Sequence, residues 1–143
     1  MPMIQLTLPG GVLTAERRTE LRKTLETTLL QWEGAPDTAF FRSLAWSRVD
    51  EVPDGAFGSA EDDLPRFRVD VTVPEGALSE RRKAGLITAV TTDVLTAAGL
   101  SDADGLRVWV LIHEQPEGTW GAAGNVVRFA ELAALAKGQR ADA

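Results

Sequence analysis

The sequence repeats itself, and this internal duplication constrains the fold more than any other feature of the chain. Shifting the chain by 65 residues aligns positions 9 to 42 with a second, similar segment without a gap. After a slip of two residues, Val52–Gly58 matches Gln115–Gly121. Ten residues among positions 9 to 42 are identical to their counterparts in the second segment: Pro9/Pro74, Gly11/Gly76, Leu13/Leu78, Arg17/Arg82, Leu21/Leu86, Thr27/Thr92, Leu30/Leu95, Gly34/Gly99, Asp37/Asp102 and Arg42/Arg107. We therefore predict one domain over residues 1–143, built from repeat 1 at 1–60 and repeat 2 at 65–130.

Each repeat reads as a strand, a helix and a second strand. The first strands, Ile4–Leu8 and Phe67–Val73, alternate apolar and polar residues and end at a Pro-x-Gly turn. Helices follow from the N-cap residues Thr14 and Ser79, and Gly34 and Gly99 suit their C-terminal ends. The apolar residues of the two helices recur at helical spacing: Leu21, Leu25, Leu29 and Trp32, then Leu86, Val90, Val94 and Ala97. Second strands are predicted at Phe40–Val49 and Leu106–Ile112, each before a Gly-rich turn.

This order of elements predicts an α+β fold. Two tandem β-α-β units form a four-stranded sheet with both helices on one face, and the helical crossover makes the strands within a unit parallel. The opposite face of so small a sheet stays uncovered in a single chain. We therefore expect oligomerisation.

Composition excludes several kinds of site. The net charge of −6, with no basic block to offset it, argues against a nucleic-acid partner. The sequence has no cysteine, which excludes disulfides and thiol nucleophiles. His113 is the single histidine, which excludes a histidine-rich metal cluster. We predict no metal and no cofactor, and we interpret His113 as structural. No apolar run approaches the length of a membrane span and no secretory signal is visible, so we expect a cytoplasmic protein without a membrane partner.

Pro2 is the candidate for chemistry. It directly follows Met1, and initiator methionine is normally removed before a small residue, which would leave a free secondary amine at the start of a strand. Such an amine acts as a general base at neutral pH when burial or a nearby cation lowers its pKa. Read alone, a Met-Pro start is also compatible with no function at all.

Together these features resemble the tautomerase superfamily, most closely 4-oxalocrotonate tautomerase-like proteins in a fused, two-copy form. The features are the proline, the β-α-β repeats of about 60 residues and the Gly-rich stretch His113-Glu114-Gln115-Pro116-Glu117-Gly118-Thr119-Trp120-Gly121-Ala122-Ala123-Gly124. The resemblance implies a tautomerase/macrophage migration inhibitory factor-like fold and a keto-enol isomerase whose proline amine acts on a small 2-oxo or enol carboxylic acid. It also implies a homotrimer.

The resemblance implies roles for particular residues. Pro2 matches the family's catalytic base. Arg107 matches the arginine that binds a substrate carbonyl or carboxylate from a neighbouring unit, and Arg42 is taken as its counterpart in repeat 1. Trp120 and Phe57 match the aromatic residue that makes the pocket apolar. Because Phe67 stands at the position of Pro2 in repeat 2, each chain has at most one amine site.

The sequence also departs from the family pattern. The positions of a customary carboxylate-binding arginine hold Val12 and Ala77, so that contact is missing. The decarboxylase and dehalogenase relatives use additional arginines, and Arg66 and Arg68 are candidates to substitute for one of these. A hydratase, dehalogenase or decarboxylase of the same superfamily therefore remains an alternative, as does a non-catalytic oligomeric binding protein. Beyond the repeats, a C-terminal tail at 131–143 is expected to begin as a short helix, starting near Phe129, and then to fray.

Overall fold

The computed structural model describes residues 1–141 and has the predicted fold: one four-stranded sheet with two long helices packed on one face. Four α-helices, one 3₁₀ turn and six strands make up that part of the chain. In chain order the elements are β1 (Met3–Pro9), α1 (Ala15–Glu33), α2 (Ala39–Leu44), β2 (Trp46–Val52), β3 (Phe67–Pro74), α3 (Glu80–Ala97), a 3₁₀ turn (Asp102–Arg107), β4 (Val108–Gln115), β5 (Gly121–Ala122), β6 (Asn125–Val126) and α4 (Phe129–Ala141).

The long helices begin where their capping residues predict. Thr14 accepts a hydrogen bond from the Arg17 backbone N–H, and Ser79 accepts one from that of Arg82. Each hydroxyl thereby satisfies one of the backbone donors that a helix N-terminus leaves unpaired. Helix α1 ends at Gly34, whose φ of 74° lies in the left-handed region that glycine adopts without strain.

The sheet has the strand order β2-β1-β3-β4. Strands β1 and β2 are parallel, β3 and β4 are parallel, and the central pair β1–β3 is antiparallel. The two repeats are therefore related by an approximate two-fold axis, with one strand from each at the centre of the sheet. One consequence is that the start of β1 and the start of β3 lie at opposite ends of the sheet.

The core lies between the sheet and the two long helices. Alternate residues of β1 and β3 point into it, and all are at most 2% exposed: Ile4, Leu6, Leu8, Phe67, Val69, Val71 and Val73. The predicted apolar faces of α1 and α3 cover them, with Trp32 and Ala97 partly buried at the edge. Apolar residues recur every second position in the strands and about every 3.6 positions in the helices. Each element therefore has one apolar face, and these faces meet in a single apolar layer.

Equivalent positions of the two repeats contact each other across the approximate axis. Thr28 donates a hydrogen bond to Asp93 at 2.6 Å, and these two residues are 65 positions apart. Arg17 donates to the backbone carbonyl of Ala97 at 3.1 Å, and its repeat partner Arg82 donates to that of Glu33 at 3.0 Å. Each long helix is thus tied at its C-terminal end to the first turn of the other.

The predicted second strands begin too early. Residues 39–44 form the short helix α2, so the strand predicted to begin at Phe40 begins at Trp46. Thr38 caps this helix by accepting the Phe41 N–H, and Phe41 is buried, which explains why an apolar run here is helical. In repeat 2 the corresponding stretch is a 3₁₀ turn, so β4 begins at Val108 and not at Leu106.

The C-terminal helix α4 is longer than predicted. It runs from Phe129 to Ala141 and docks on the body of the domain through buried Ala136, while the last two residues of the predicted tail lie outside the described part of the chain. The Thr38 hydroxyl donates to the Gln139 side-chain oxygen at 2.6 Å, which fixes α4 against the segment before α2. Within residues 1–141 no helix has the combination of length and apolarity that crossing a bilayer requires.

Candidate active site

A cavity of about 200 Å³ lies at the amino terminus of the chain. It is bounded by the C-terminal end of α1, the first turn of α3 and the inner face of α4. Its surface is about equally polar and apolar, and two arginines and one glutamate are among the residues that line it: Met1, Glu33, Gly34, Ala35, Phe41, Pro74, Ala77, Arg82, Phe129, Leu132, Ala133, Ala136 and Arg140. The cavity therefore combines a chain terminus, a carboxyl group and two cations in one place.

Pro2 is buried directly behind Met1, and the sheet holds it in place. Its carbonyl oxygen accepts the Trp46 backbone N–H at 3.1 Å, which extends the β1–β2 ladder to the chain end. The α-amine of Met1 is also largely removed from water. Burial lowers the pKa of this amine below its ordinary value of 8.0, while the charge of Glu33 acts in the opposite direction.

Glu33 is the last residue of α1, and its side chain reaches the cavity. Its Oε2 atom is shielded from solvent and has no hydrogen-bond partner in the protein. Burial raises the pKa of this carboxyl, and the amino terminus and Arg82 oppose the rise. An acid and an amine thus share one cavity, each with its charged form disfavoured by burial.

Two arginines converge on the backbone at the end of α1. Arg82 of α3 donates to the Glu33 carbonyl at 3.0 Å, and Arg140 of α4 donates to the Gly34 carbonyl. These carbonyls are left unpaired by the end of the helix and carry its negative partial charge, which favours cations there. Each guanidinium has five N–H donors, so groups remain to face the cavity.

Sequence reasoning missed Glu33, Arg82, Arg140 and Phe129 as site residues. Arg82 was visible only as part of a basic cluster early in a helix, which most often faces solvent, and α4 lies outside the duplication. The available signal was the Arg17/Arg82 identity. A residue kept in both repeats at a helix start is a candidate for contact with the other repeat.

Three of the residues predicted from the sequence lie together elsewhere. Phe57, Arg68 and Arg107 line a second cavity, of about 510 Å³, at the end of the sheet where β3 and β4 begin. The guanidinium of Arg107 is largely buried and donates to the Pro65 carbonyl at 2.9 Å and to Asp104 at 3.2 Å. Arg68 instead holds Asp70 through two hydrogen bonds of 3.0 Å.

Within one chain, Arg107 does not reach Pro2. Arg107 directly precedes β4 at the Phe67 end of β3, whereas Pro2 lies beyond Met3, which pairs with Thr72 near the other end. Six residues of extended strand separate the two ends, which amounts to about 20 Å. Arg107 could therefore serve Pro2 only from another chain.

Arg42 is not the structural counterpart of Arg107. The registers place Trp46 opposite Met3 and Trp109 opposite Arg68, so the two tryptophans are equivalent. Arg107 stands two residues before Trp109, and the residue two positions before Trp46 is Leu44, so Leu44 is the structural equivalent of Arg107. The ungapped alignment paired Arg107 with Arg42 because it did not include the two-residue shift between the repeats. Arg42 lies in α2, on the Pro2 side of the sheet, and its guanidinium pairs with Asp37.

Trp120 lies at the Pro2 end of the sheet. It lines a shallow cavity on the open face, together with Met3, Thr72 and Gln115. The structure thus brings Pro2, Trp120 and Arg42 to one end of the sheet and Phe57, Arg68 and Arg107 to the other. Among residues 1–141 no cluster of three acidic or histidine side chains is arranged to hold a metal ion.

Comparison with known proteins finds a family match for one of the two repeats. Residues 68–130, most of repeat 2, match the family model described as tautomerase enzyme. Repeat 2 is thus similar to tautomerases along nearly its full length. The resemblance inferred from the sequence is therefore confirmed. A search of curated proteins finds no match.

Several solved structures share the fold over most of the chain. A fused 4-OT solved as a symmetric trimer is 23% identical, with 95% of this chain and 98% of that one covered at a TM-score of 0.73. Pt0534, solved after inactivation by 2-oxo-3-pentynoate, is 22% identical over 90% of this chain and 98% of that one, with a TM-score of 0.77. A member of the cis-3-chloroacrylic acid dehalogenase family is 20% identical over 87% of this chain and 82% of that one, with a TM-score of 0.73. At these identities the likeness establishes the fold.

Proposed function

We propose that this protein is a tautomerase that uses the Pro2 amine as general base on a small 2-oxo or enol carboxylic acid. The observation that carries the proposal is the buried amino terminus. The chain end opens into a cavity that also holds two guanidinium groups. A base with a lowered pKa beside cations is the arrangement that enol chemistry needs.

Removal of Met1 creates the base. The Pro2 nitrogen would then be the chain terminus, one residue deeper than the Met1 amine, and the volume of the Met1 side chain would become free for substrate. The burial that lowers the pKa of the Met1 amine supports a low pKa for the Pro2 amine as well. A neutral amine at pH 7 can take a proton from the enol oxygen and return it to carbon, which yields the keto acid.

Arg82 and Arg140 are the cations available within the chain. Each donates to one backbone carbonyl, and the remaining N–H groups can bind a substrate carboxylate or stabilise an enolate oxygen. Ala77, one of the two positions where the family's customary arginine is absent, lines the same cavity. Arg82 lines it as well.

The protein acts as a homotrimer in this proposal. The fused 4-OT relative is a trimer, and the open face of the sheet here carries Trp46 and Trp109, each 67% exposed. Assembly would cover these rings and would allow Arg107 of one chain to approach Pro2 of the next. Trp120 and Phe57 then serve as apolar walls, and Arg42 and Arg68 as further binding groups for the substrate.

Ketonisation of phenylenolpyruvate or 2-hydroxymuconate tests the proposal. We expect wild-type protein to accelerate the reaction and Pro2→Ala to lose on the order of 10²-fold or more in kcat/KM, the usual contribution of a positioned base. Pro9→Ala, at the other end of β1, is the matched control and should retain activity. Mass spectrometry should show that Met1 is absent. Full activity in Pro2→Ala, or no activity in a protein that begins at Pro2, would contradict the proposal.

A further inference from the structure

Glu33 has an unusual environment for a carboxylate. Its Oε2 atom is inaccessible to solvent and has no partner in the protein, although buried polar atoms are nearly always hydrogen-bonded. Leaving such an atom unpaired costs folding free energy, and nothing in the fold requires an acid at this position. The last turn of α1 would be complete with any residue whose backbone carbonyl accepts from Arg82.

The charged groups that line the cavity with Glu33 come from three parts of the chain. They are the amino terminus ahead of β1, Arg82 of α3 and Arg140 of α4, and the other lining residues carry no charged side chain. Among the described residues that line this cavity, Glu33 is the sole acid. A carboxyl, an amine and a substrate-sized space are therefore adjacent, with no competing acid.

We propose that Glu33 is a second acid–base group of this site and exchanges a proton with the substrate while the Pro2 amine exchanges the other. The inference rests on the proposed tautomerase function and adds a residue to it. In the ketonisation direction the neutral Pro2 amine takes the proton from the enol oxygen, and the O–H electron pair forms the C=O bond. The C=C electron pair takes a proton from the neutral Glu33 carboxyl at carbon. A proton then returns from the Pro2 ammonium to the Glu33 carboxylate, so the enzyme is regenerated and the net change is isomerisation.

The electrostatics of the cavity make this exchange favourable. Burial raises the pKa of Glu33 and lowers that of the terminal amine, so the two values move toward each other. Groups with similar pKa values share one proton with little difference in free energy between the two states. The proton transfer that regenerates the two groups between turnovers then involves only a small free-energy difference. A carboxylate with an ordinary pKa would not share a proton with the amine in this way.

Kinetics of three variants test the role of Glu33. We expect Glu33→Gln to lose on the order of 10²-fold in kcat on phenylenolpyruvate with little change in KM, and to lose one limb of its pH–rate profile. Glu33→Asp should recover part of the rate and restore that limb. Glu20→Gln, an exposed acid on the same helix, is the matched control and should behave as wild type. A Glu33→Gln enzyme with wild-type kcat and pH profile would overturn the inference while leaving the Pro2 proposal intact.

A titration of the terminal nitrogen by ¹⁵N NMR gives a readout that does not need a substrate. Because a nearby carboxylate favours the charged amine, we expect the Glu33→Gln substitution to lower the pKa of the Pro2 amine and to leave one titration step in place of two. An unchanged amine titration in folded Glu33→Gln would overturn the inference. If that variant does not fold, the same comparison is made with Glu33→Ala, which also lacks the carboxyl group and in which an unchanged amine titration counts equally against the inference.

Discussion

The backbone of Gly85 in α3 lies directly against the indole ring of Trp32 in α1. A Cβ atom at position 85 would stand 2.2 Å from the Trp32 Cη2 and Cζ3 atoms, far inside van der Waals contact. This close approach sets how the two long helices cross. It also brings the first turn of α3, with Arg82, to the end of α1, where Glu33 lies.

Gly85→Ala should therefore destabilise the protein. The new methyl group forces the indole or the helix to move, and overpacking of this kind costs about 1–3 kcal/mol. Urea unfolding measures the change in the free energy of unfolding. Gly138→Ala is the control, since a Cβ there meets nothing within 4 Å and alanine favours a helix. Equal stability of Gly85→Ala and wild type would show that the helices can separate at this point without penalty.

Arg82→Gln should weaken the binding of carboxylate substrates. A hydrogen bond to a charged group contributes about 1.5–3 kcal/mol, which corresponds to a rise in KM of roughly tenfold to a hundredfold. Steady-state kinetics with an enol acid and with its uncharged ester separate the effects, because the ester should be almost unaffected. Arg81→Gln, at the exposed neighbouring position, serves as the control. A similar loss with acid and ester would point to a structural role for Arg82.

Inactive Pro2→Ala and Arg107→Ala chains should recover activity when they are mixed and reassembled. About 20 Å of sheet separates the two residues within one chain, so a working pair must come from different chains. Random mixing of equal amounts leaves about a quarter of the pairs with both residues intact, and activity should rise toward that fraction. The parallel mixture of Pro2→Ala with Arg42→Ala is the comparison, because those residues lie on the same side of the sheet. No recovery with Arg107→Ala would exclude Arg107 from the Pro2 site.

Trp109→Asp should prevent assembly. Trp109 is 67% exposed on the edge strand β4, and a carboxylate buried in an interface would be costly. Sedimentation velocity should show a fall in mass to that of one chain. Leu135→Asp changes an exposed apolar residue of α4, away from the sheet, and should leave the mass unchanged. An intact oligomer of Trp109→Asp would locate the interface elsewhere.

Lowering the pH should reduce the free energy of unfolding, because Asp70 on the open face of the sheet becomes protonated. His113 contacts Asp70 at 2.7 Å, so the histidine has a carboxylate partner that the sequence did not reveal. Burial acts to raise the pKa of Asp70, but the hydrogen bonds from Arg68 and His113 outweigh it and hold that pKa below its ordinary value of 3.8. A carboxyl with a lowered folded-state pKa stabilises the fold above its unfolded pKa, and this contribution is lost as the pH falls through the folded value.

The comparison of wild type with Asp70→Asn isolates this contribution. Urea midpoints measured from pH 7 down to about pH 3 should fall more steeply for wild type than for Asp70→Asn, because the amide has no proton to gain. Exposed Asp54→Asn should follow the wild-type curve. Parallel curves for wild type and Asp70→Asn would show that the lowered pKa of Asp70 does not contribute to stability.

Most of the fold was predictable because it depends on local signals. The caps at Thr14 and Ser79, the left-handed Gly34 and the apolar faces of α1 and α3 all follow from residues within one or two turns of each other. The starts of β2 and β4 were misplaced because an apolar run such as Ala39–Leu44 suits a buried helix as well as a strand. The cap at Thr38 and the burial of Phe41 favour the helix, and burial is a tertiary property.

The site was predictable only in part, for the same reason. A proline after Met1, a duplicated β-α-β pattern and the Gly-rich hairpin were enough to predict the superfamily, since each is a short-range feature of the chain. The neighbours of the amino terminus come from positions 33, 82 and 140, far apart in sequence and without a shared motif. Packing of α1 against α3 and docking of α4 bring them together, and the antiparallel β1–β3 pair sets Arg107 at the other end of the sheet. Long-range contacts of this kind depend on how complete elements fit together, so no local pattern of residues encodes them.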